Sequence, residues 1–429
     1  MKREDEEYKR YIKILERELV PAMGCTEPIA IAYAAAYAKK LLDGEVSKVK
    51  IYASGNVIKN VKSVTVPNTG GQKGIAAAAA IGIADGNPEL KLEVISSVTQ
   101  SGIKEMERLL SEVPFELYRI QGDCALDLAV ELLSESGRSK VRIRNTHENV
   151  VLAEKNGECI LRSEYAQESG EGCRLEMKEI YDFAVSVELD DVRDILQRQI
   201  DYNYAIAKEG LKGGYGASIG RVLLDTYGES PENRAKALAA AGSDARMGGC
   251  ELPVIINSGS GNQGMCASLP VIAYAKELDS GEERLYRALI ISNLTTLYQK
   301  QFIGRLSAYC GAVSAGAGAG AGITYLLGGD YKHICHTVVN ALAVTSGILC
   351  DGAKPSCAAK IACAVDAGIL GCKMYKEGHQ FYRGEGIVSS SIENTMEGIG
   401  KIARDGMKEC DDEIIRLMLE EQTIHAIKG

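Results

Sequence analysis

Cys310 opens an uninterrupted run of small residues, G-A-V-S-A-G-A-G-A-G-A-G, over 311–322. Such a run has almost no side chain to hold neighbours apart, so it belongs where other backbones come close. Further along, Cys350 and Cys357 bracket a short loop, C-D-G-A-K-P-S-C. Its Asp351-Gly352 and Lys354-Pro355 pairs are turn formers between two helix-like segments. Both sulfurs then stand at helix ends, where free N–H groups stabilise thiolates. Soft thiolates select zinc, copper(I) or iron–sulfur clusters, and glycine walls leave room for a group bulkier than a side chain. The working reading is a cluster held by Cys310, Cys350 and Cys357. Its competitor is simpler: unpaired cysteines are mostly small core hydrophobes, and C-x6-C fits neither zinc spacings nor ferredoxin runs.

The bulk of the chain narrows the partners. At 429 residues it exceeds one core, so two domains are the default. A net charge of −9 argues against nucleic acid, whose phosphates would be repelled. Thirteen cysteines without paired spacing, after a start that lacks an apolar leader, imply free thiols in a reducing cytoplasm. Residues 306–329 are uncharged over 24 positions, long enough to cross a membrane. Seven of them are Gly and six Ala, so insertion gains little, and the expectation is a buried helix with no membrane partner.

In chain order, Tyr8, Tyr11, Ile12, Leu15 and Leu19 predict an amphipathic first helix over 4–19. Pro21–Pro28 interrupts it, with Thr26 as the expected N-cap of an Ala-rich helix to residue 42. Cys25 then sits at a helix N-terminus, where the dipole lowers a thiol pKa; a plain helix–helix turn is the alternative. From Glu45 the pattern turns to period two. Strands are expected at Val46–Ile51, Val57–Val66, Leu90–Val98, Phe115–Ile120, Val141–Arg144 and Val150–Glu154, with helices near 101–112 and 124–136. The loop Pro67–Gly74 precedes an Ala run and is able to bind an anion, or is only a connection. Arg144–Asn149 reads as a hairpin turn, or as a tip that reaches substrate, and Ser163–Gly172 as a polar exit. From Leu175 onward the chain reads as helices over 176–209, 231–241, 265–279, 281–299, 332–347, 356–370 and 389–425. Gly-rich breaks fall at 210–220 and 242–249, and Glu393, Glu397 and Arg404 form a solvated face. The fold class is α+β: a mainly helical domain (1–44 and 173–429) with a smaller α+β domain inserted at 45–172.

Gly259–Gly264 follows a strand-like run and fits G-x-G-x-x-G, with Glu277 or Asp279 near the place of a ribose ligand. This is the rival reading, a nucleotide-dependent oxidoreductase. No βαβ alternation surrounds the motif, and Pro270 intrudes on its helix. A pyridoxal-phosphate enzyme would need a Schiff-base lysine, and none stands out. A thiol-rich metal or redox protein has no need of the Gly loops, and the five histidines include no H-E-x-x-H.

Four stretches together carry a resemblance: G-C-T-E-P at 24–28, S-G-S-G-N-Q-G at 258–264, Cys310 with its Gly/Ala tract, and C-D-G-A-K-P-S-C. They resemble the α domain of iron–sulfur L-serine dehydratases and, more closely, their relatives the L-cysteine desulfidases. The resemblance runs over the whole chain. It implies an oxygen-sensitive cytoplasmic lyase whose 4Fe-4S cluster is held by Cys310, Cys350 and Cys357 and whose fourth iron meets the substrate. It implies Cys25 as the base that takes the α-proton of a small amino-acid substrate. Ser260, Gly261 and Asn262 are expected to grip the carboxylate, with Asn68, Thr69 and Lys73 as further candidates. Serine dehydratases space their last two ligands more widely, so the desulfidase branch sets the expected substrate: L-cysteine, giving hydrogen sulfide, ammonia and pyruvate, with L-serine as the alternative. The oligomeric state is left open, a homo-oligomer included.

Overall fold

The computed structural model describes residues 1–122, 124–163, 174–304 and 306–420. The Gly/Ala tract becomes the helix Gly311–Leu326, and its burial explains its composition. Gly316 and Gly320, one turn apart, face the helix Cys357–Lys376: a Cβ on Gly316 would run into the backbone of Ala364, and one on Gly320 would lie 2.7 Å from the Gly368 carbonyl. Gly318 and Gly322 face the helix Gly281–Ile303 in the same way, with the Ala288 carbonyl 2.8 Å from a Cβ on Gly322. Each i, i+4 pair therefore lets one neighbouring helix approach to backbone contact. The expected result for Gly316→Ala is a loss of about 1–3 kcal/mol through overpacking. Gly398→Ala, in a half-buried helix position where a Cβ meets nothing within 4 Å, should gain up to about 1 kcal/mol from helix propensity. Denaturant midpoints of the two variants check both signs.

The inserted region carries a six-stranded sheet in the order Phe115–Ile120, Lys48–Ser54, Asp127–Ser134, Gly137–Arg144, Val150–Lys155, Glu158–Arg162. The first two strands are parallel and every other neighbour pair is antiparallel. Val49, Ile51, Leu128, Val130, Leu132, Val141 and Ile143 alternate onto its buried face. The Ala-rich helix Thr26–Leu41 lies on that face, and Ser139 Oγ donates to the Ala38 carbonyl at 2.7 Å. A second, tiny sheet pairs Pro21–Met23 with Pro253–Ile255, Ala22 opposite Val254. It ties the segment before Cys25 to the segment before the Ser258–Gly264 loop.

Several local expectations change. Val57–Val66 holds no strand: Gly55–Val61 is a helix, because Val57, Ile58 and Val61 also satisfy helical spacing and are buried there. Asp127–Ser134 is a strand where a helix was expected; its run is apolar on both faces, and pairing on either side decides it. Leu90–Val98 holds the 3-10 helix Pro88–Glu93, which starts at a proline. The helix Pro231–Met247 runs through the expected break, since Gly242 is packed against Met265. The long helix expected over 176–209 breaks between Met177–Ser186 and Arg193–Leu211, and residues 389–425 hold Ile392–Lys401 and Lys408–Glu420. The helix after the first turn starts at Thr26, so Cys25 rather than Thr26 is its cap. The polar exit lies, from residue 164, outside the described residues. Among those residues no helix is long and apolar enough to cross a membrane.

Candidate active site

The two halves meet at a cavity of about 100 Å³. Cys310, Cys350 and Cys357 all line it. Cys310 caps Gly311–Leu326, and Cys357 begins Cys357–Lys376. A bridge between Tyr309 and Leu349 sets Cys310 beside Cys350: the Cys310 N–H donates to the Ile348 carbonyl at 3.1 Å, and the Cys350 N–H to Ala308 at 2.6 Å. Burial pushes the Cys310 thiol up to about 12, helped by Cys350, and burial also raises Cys357. The charges of Lys354 and Lys360 oppose both burdens: both lower Cys357, and Lys360 lowers Cys310. Lys59, buried in the wall and ion-paired with Asp411, donates to the Cys350 carbonyl at 3.1 Å. Among the described residues, no three His, Cys, Asp or Glu side chains are grouped so as to hold a metal ion. The thiols stand around the cavity rather than meeting at a point. Cys266 does not line it; its thiol faces the Ala312 carbonyl at 3.7 Å.

Cys25 lines the same cavity, in a small buried cluster with Val64 and Met247 against which Cys357 packs. The expected fall of its pKa is reversed: burial and the neighbouring Glu27 charge push the thiol well up, against the pull of Arg246. The thiol donates to Glu27 Oε2 at 3.2 Å. Glu27 is itself buried, at 6% exposure, and accepts from Asn60 Nδ2 at 2.9 Å. Burial would raise its carboxyl, but the nearby His147 imidazole and the Cys25 thiol that donates to it win and hold it at about 2. His147 Nε2 is 3.7 Å from Glu27 Oε1 and has no hydrogen-bond partner. The hairpin turn after Arg144 therefore brings His147 to the cavity wall.

The Ser258–Gly264 loop supplies the third wall. Ser260 caps the helix Gly261–Glu277, and Ser260 and Asn262 line the cavity. Thr26 Oγ1 donates to the Gly259 carbonyl at 2.9 Å, locking this loop to the Cys25 turn. The nucleotide reading fails here: Pro253–Ile255 pairs only with Pro21–Met23, antiparallel, and Glu277 ends the very helix that the motif begins. Asn68, Thr69 and Lys73 do not line the cavity. Asn68 Nδ2 donates to Ile95 O at 2.6 Å, Thr69 Oγ1 to Val66 O at 2.6 Å, and Lys73 is exposed. Their loop acts as a support, with the Pro67 ring packed against Gly24. Sequence reasoning missed Glu27, Asn60, Lys59 and Arg246, all of which line the cavity.

A helical half and an inserted sheet that close on a cavity of thiols, a buried carboxylate and a glycine loop define an enzyme-like centre. Residues 89–416 match the family model described as serine dehydratase alpha chain. A UPF0597 protein of Desulfitobacterium hafniense is 55% identical over 425 residues, 98% of this chain and 99% of the relative. One from Lachnoclostridium phytofermentans is 50% identical over 96% of this chain and 100% of its own length, and one from Bacteroides fragilis 36% over 96% and 98%. The chain belongs to the serine dehydratase alpha chain family, among its UPF0597 relatives.

Proposed function

We propose that this protein is an iron–sulfur-dependent lyase that eliminates the β-substituent of a small L-amino acid, L-cysteine first. The observation that carries the reading is the convergence on one cavity of Cys310, Cys350 and Cys357 with the Cys25–Glu27 pair and the Ser260 helix cap. The donor set fits a 4Fe-4S cluster: thiols spread around a cavity suit a group of several metal atoms, each meeting one thiolate. Buried thiols that resist ionisation become thiolates when a cation binds them. When bound through three thiolates, such a cluster supplies a Lewis-acidic iron with an open position.

The chain's own residues do the rest. Cys25, as the thiolate that the Arg246 charge favours, takes the α-proton of the substrate, and the thiol so formed donates to Glu27 Oε2. The electrons of that C–H bond form the Cα–Cβ double bond, and HS⁻ departs from Cβ. The aminoacrylate tautomerises to an imine, which water converts to pyruvate and ammonium. The helix N-terminus at Gly261 presents free N–H groups to the carboxylate. L-serine, losing hydroxide, is the second reading, supported by the description of the matching family. An oxygen-sensitive cluster suits a reducing cytoplasm.

Protein purified without oxygen should be brown, with iron and labile sulfide in equal amounts. It should release sulfide from L-cysteine with a higher kcat/KM than pyruvate from L-serine. Iron-free protein that still turns over L-cysteine would overturn the cluster; faster L-serine turnover would select the second reading.

A further inference from the structure

We propose that Arg246 is the anchor for the α-carboxylate of the amino-acid substrate. This rests on the amino-acid reading above but not on which bond is broken. Arg246 lies in the last turn of Pro231–Met247, 2% exposed, and lines the cavity. Its Nε donates to the Gly24 carbonyl at 2.8 Å. That uses one of five guanidinium donors, on a group that stays charged at every working pH. Among the described residues no carboxylate lies within ion-pair distance of it. Lys59, the other ammonium or guanidinium cation on the wall, is matched by Asp411. A buried cation without an anion is costly and calls for one.

Two neighbours say where that anion goes. A Cβ on Gly261 would collide with Arg246 Nε and Cζ, so glycine at this position lets the guanidinium lie against the N-terminus of the helix Gly261–Glu277. Guanidinium and free helix N–H groups then face one place, which suits a planar carboxylate. Cys25 is next to it, close enough for the Arg246 charge to favour its thiolate. A carboxylate held there puts the α-carbon, one bond away, beside Cys25. The buried acceptors Asn262 Oδ1 and Gln263 Oε1, both on the cavity wall, have no partner. They suit an ammonium and make a zwitterion a better occupant than a simple anion.

The test measures binding of L-alanine and of ethylamine to the anaerobic holoenzyme by calorimetry. Neither ligand has a leaving group, so the result stands whether or not the protein eliminates cysteine or serine. Arg246→Met should weaken L-alanine on the order of 100-fold and leave ethylamine within about twofold, with Arg246→Lys between. Gly261→Ala keeps the charge but displaces the guanidinium, and should show the same selective loss if Arg246→Met does not fold. Equal weakening of both ligands, or unchanged L-alanine binding in variants that retain their iron, would overturn the proposal. Wild-type protein that binds L-alanine yet eliminates neither substrate would sink the reaction and leave Arg246 standing.

Discussion

Cys310→Ala, Cys350→Ala and Cys357→Ala should each strip iron and activity together. The three sulfurs sit on one cavity, yet their anchorage differs. Cys310 and Cys350 are held by the bridge between Tyr309 and Leu349 and by carbonyls that fix their own N–H groups. Cys357 stands at a helix start, its N–H bonded to Lys354 O at 3.0 Å. None of these backbone bonds involves the sulfur; only the Cys357 thiol makes a loop contact of its own, donating to the Gly352 carbonyl at 3.6 Å, so alanine at Cys310 or Cys350 leaves the loops in place and at Cys357 removes one long hydrogen bond besides the sulfur. Thiolate contacts supply most of the affinity of such sites, and a missing corner leaves an iron that water reaches. Cys363 and Cys372 are the controls. Cys372 is buried in the helix as a core residue, and Cys363 is exposed. Neither lines the cavity, and both alanine variants should keep their colour. Iron assay and visible absorption decide it. Full iron content in Cys357→Ala would sink this ligand set.

The three cavity cysteines and the glycine tract were legible because their signal is local. Gly316, Gly318, Gly320 and Gly322 alternate in sequence, and only close helix contact on two sides gives such a pattern a purpose. The turn formers around Gly352 likewise announce a loop between helices. Asp127–Ser134 was not legible: apolar residues on both faces read as helix or strand until neighbours are known, and those neighbours come from residues 48–54 and 137–144. Glu27 and Arg246 were hidden for another reason. Each is a charge inside an Ala-rich helix, and sequence reading assigns such charges to solvent. Only tertiary structure reveals that Glu27 faces His147, 120 positions away, and that Arg246 reaches back to Gly24.

Cys25→Ser should keep the cluster and lose turnover by about 10²–10⁴-fold, the usual contribution of a positioned base. A hydroxyl fits the thiol's place and its hydrogen bond to Glu27, but it ionises far less readily. Loss of iron in this variant would instead make Cys25 a ligand. Glu27→Gln separates Glu27's part from that of a mere scaffold. The wild-type carboxylate raises the Cys25 pKa by its charge, so removing it leaves a larger thiolate fraction at any given pH. Alkylation of Cys25 should therefore speed up, provided iron content and substrate binding are retained. Elimination should slow all the same, because a thiolate whose pKa has fallen is a weaker base toward the α-proton, and the thiol that forms loses its charged acceptor, Glu27 Oε2 at 3.2 Å. Faster alkylation with slower turnover is a pair that simple loss of packing does not produce, since loosening would raise one without a specific fall in the other. Peptide-resolved alkylation by mass spectrometry, alongside sulfide release, reads both. Turnover surviving in Cys25→Ser but abolished in Glu27→Gln would move the base from the sulfur to the carboxylate.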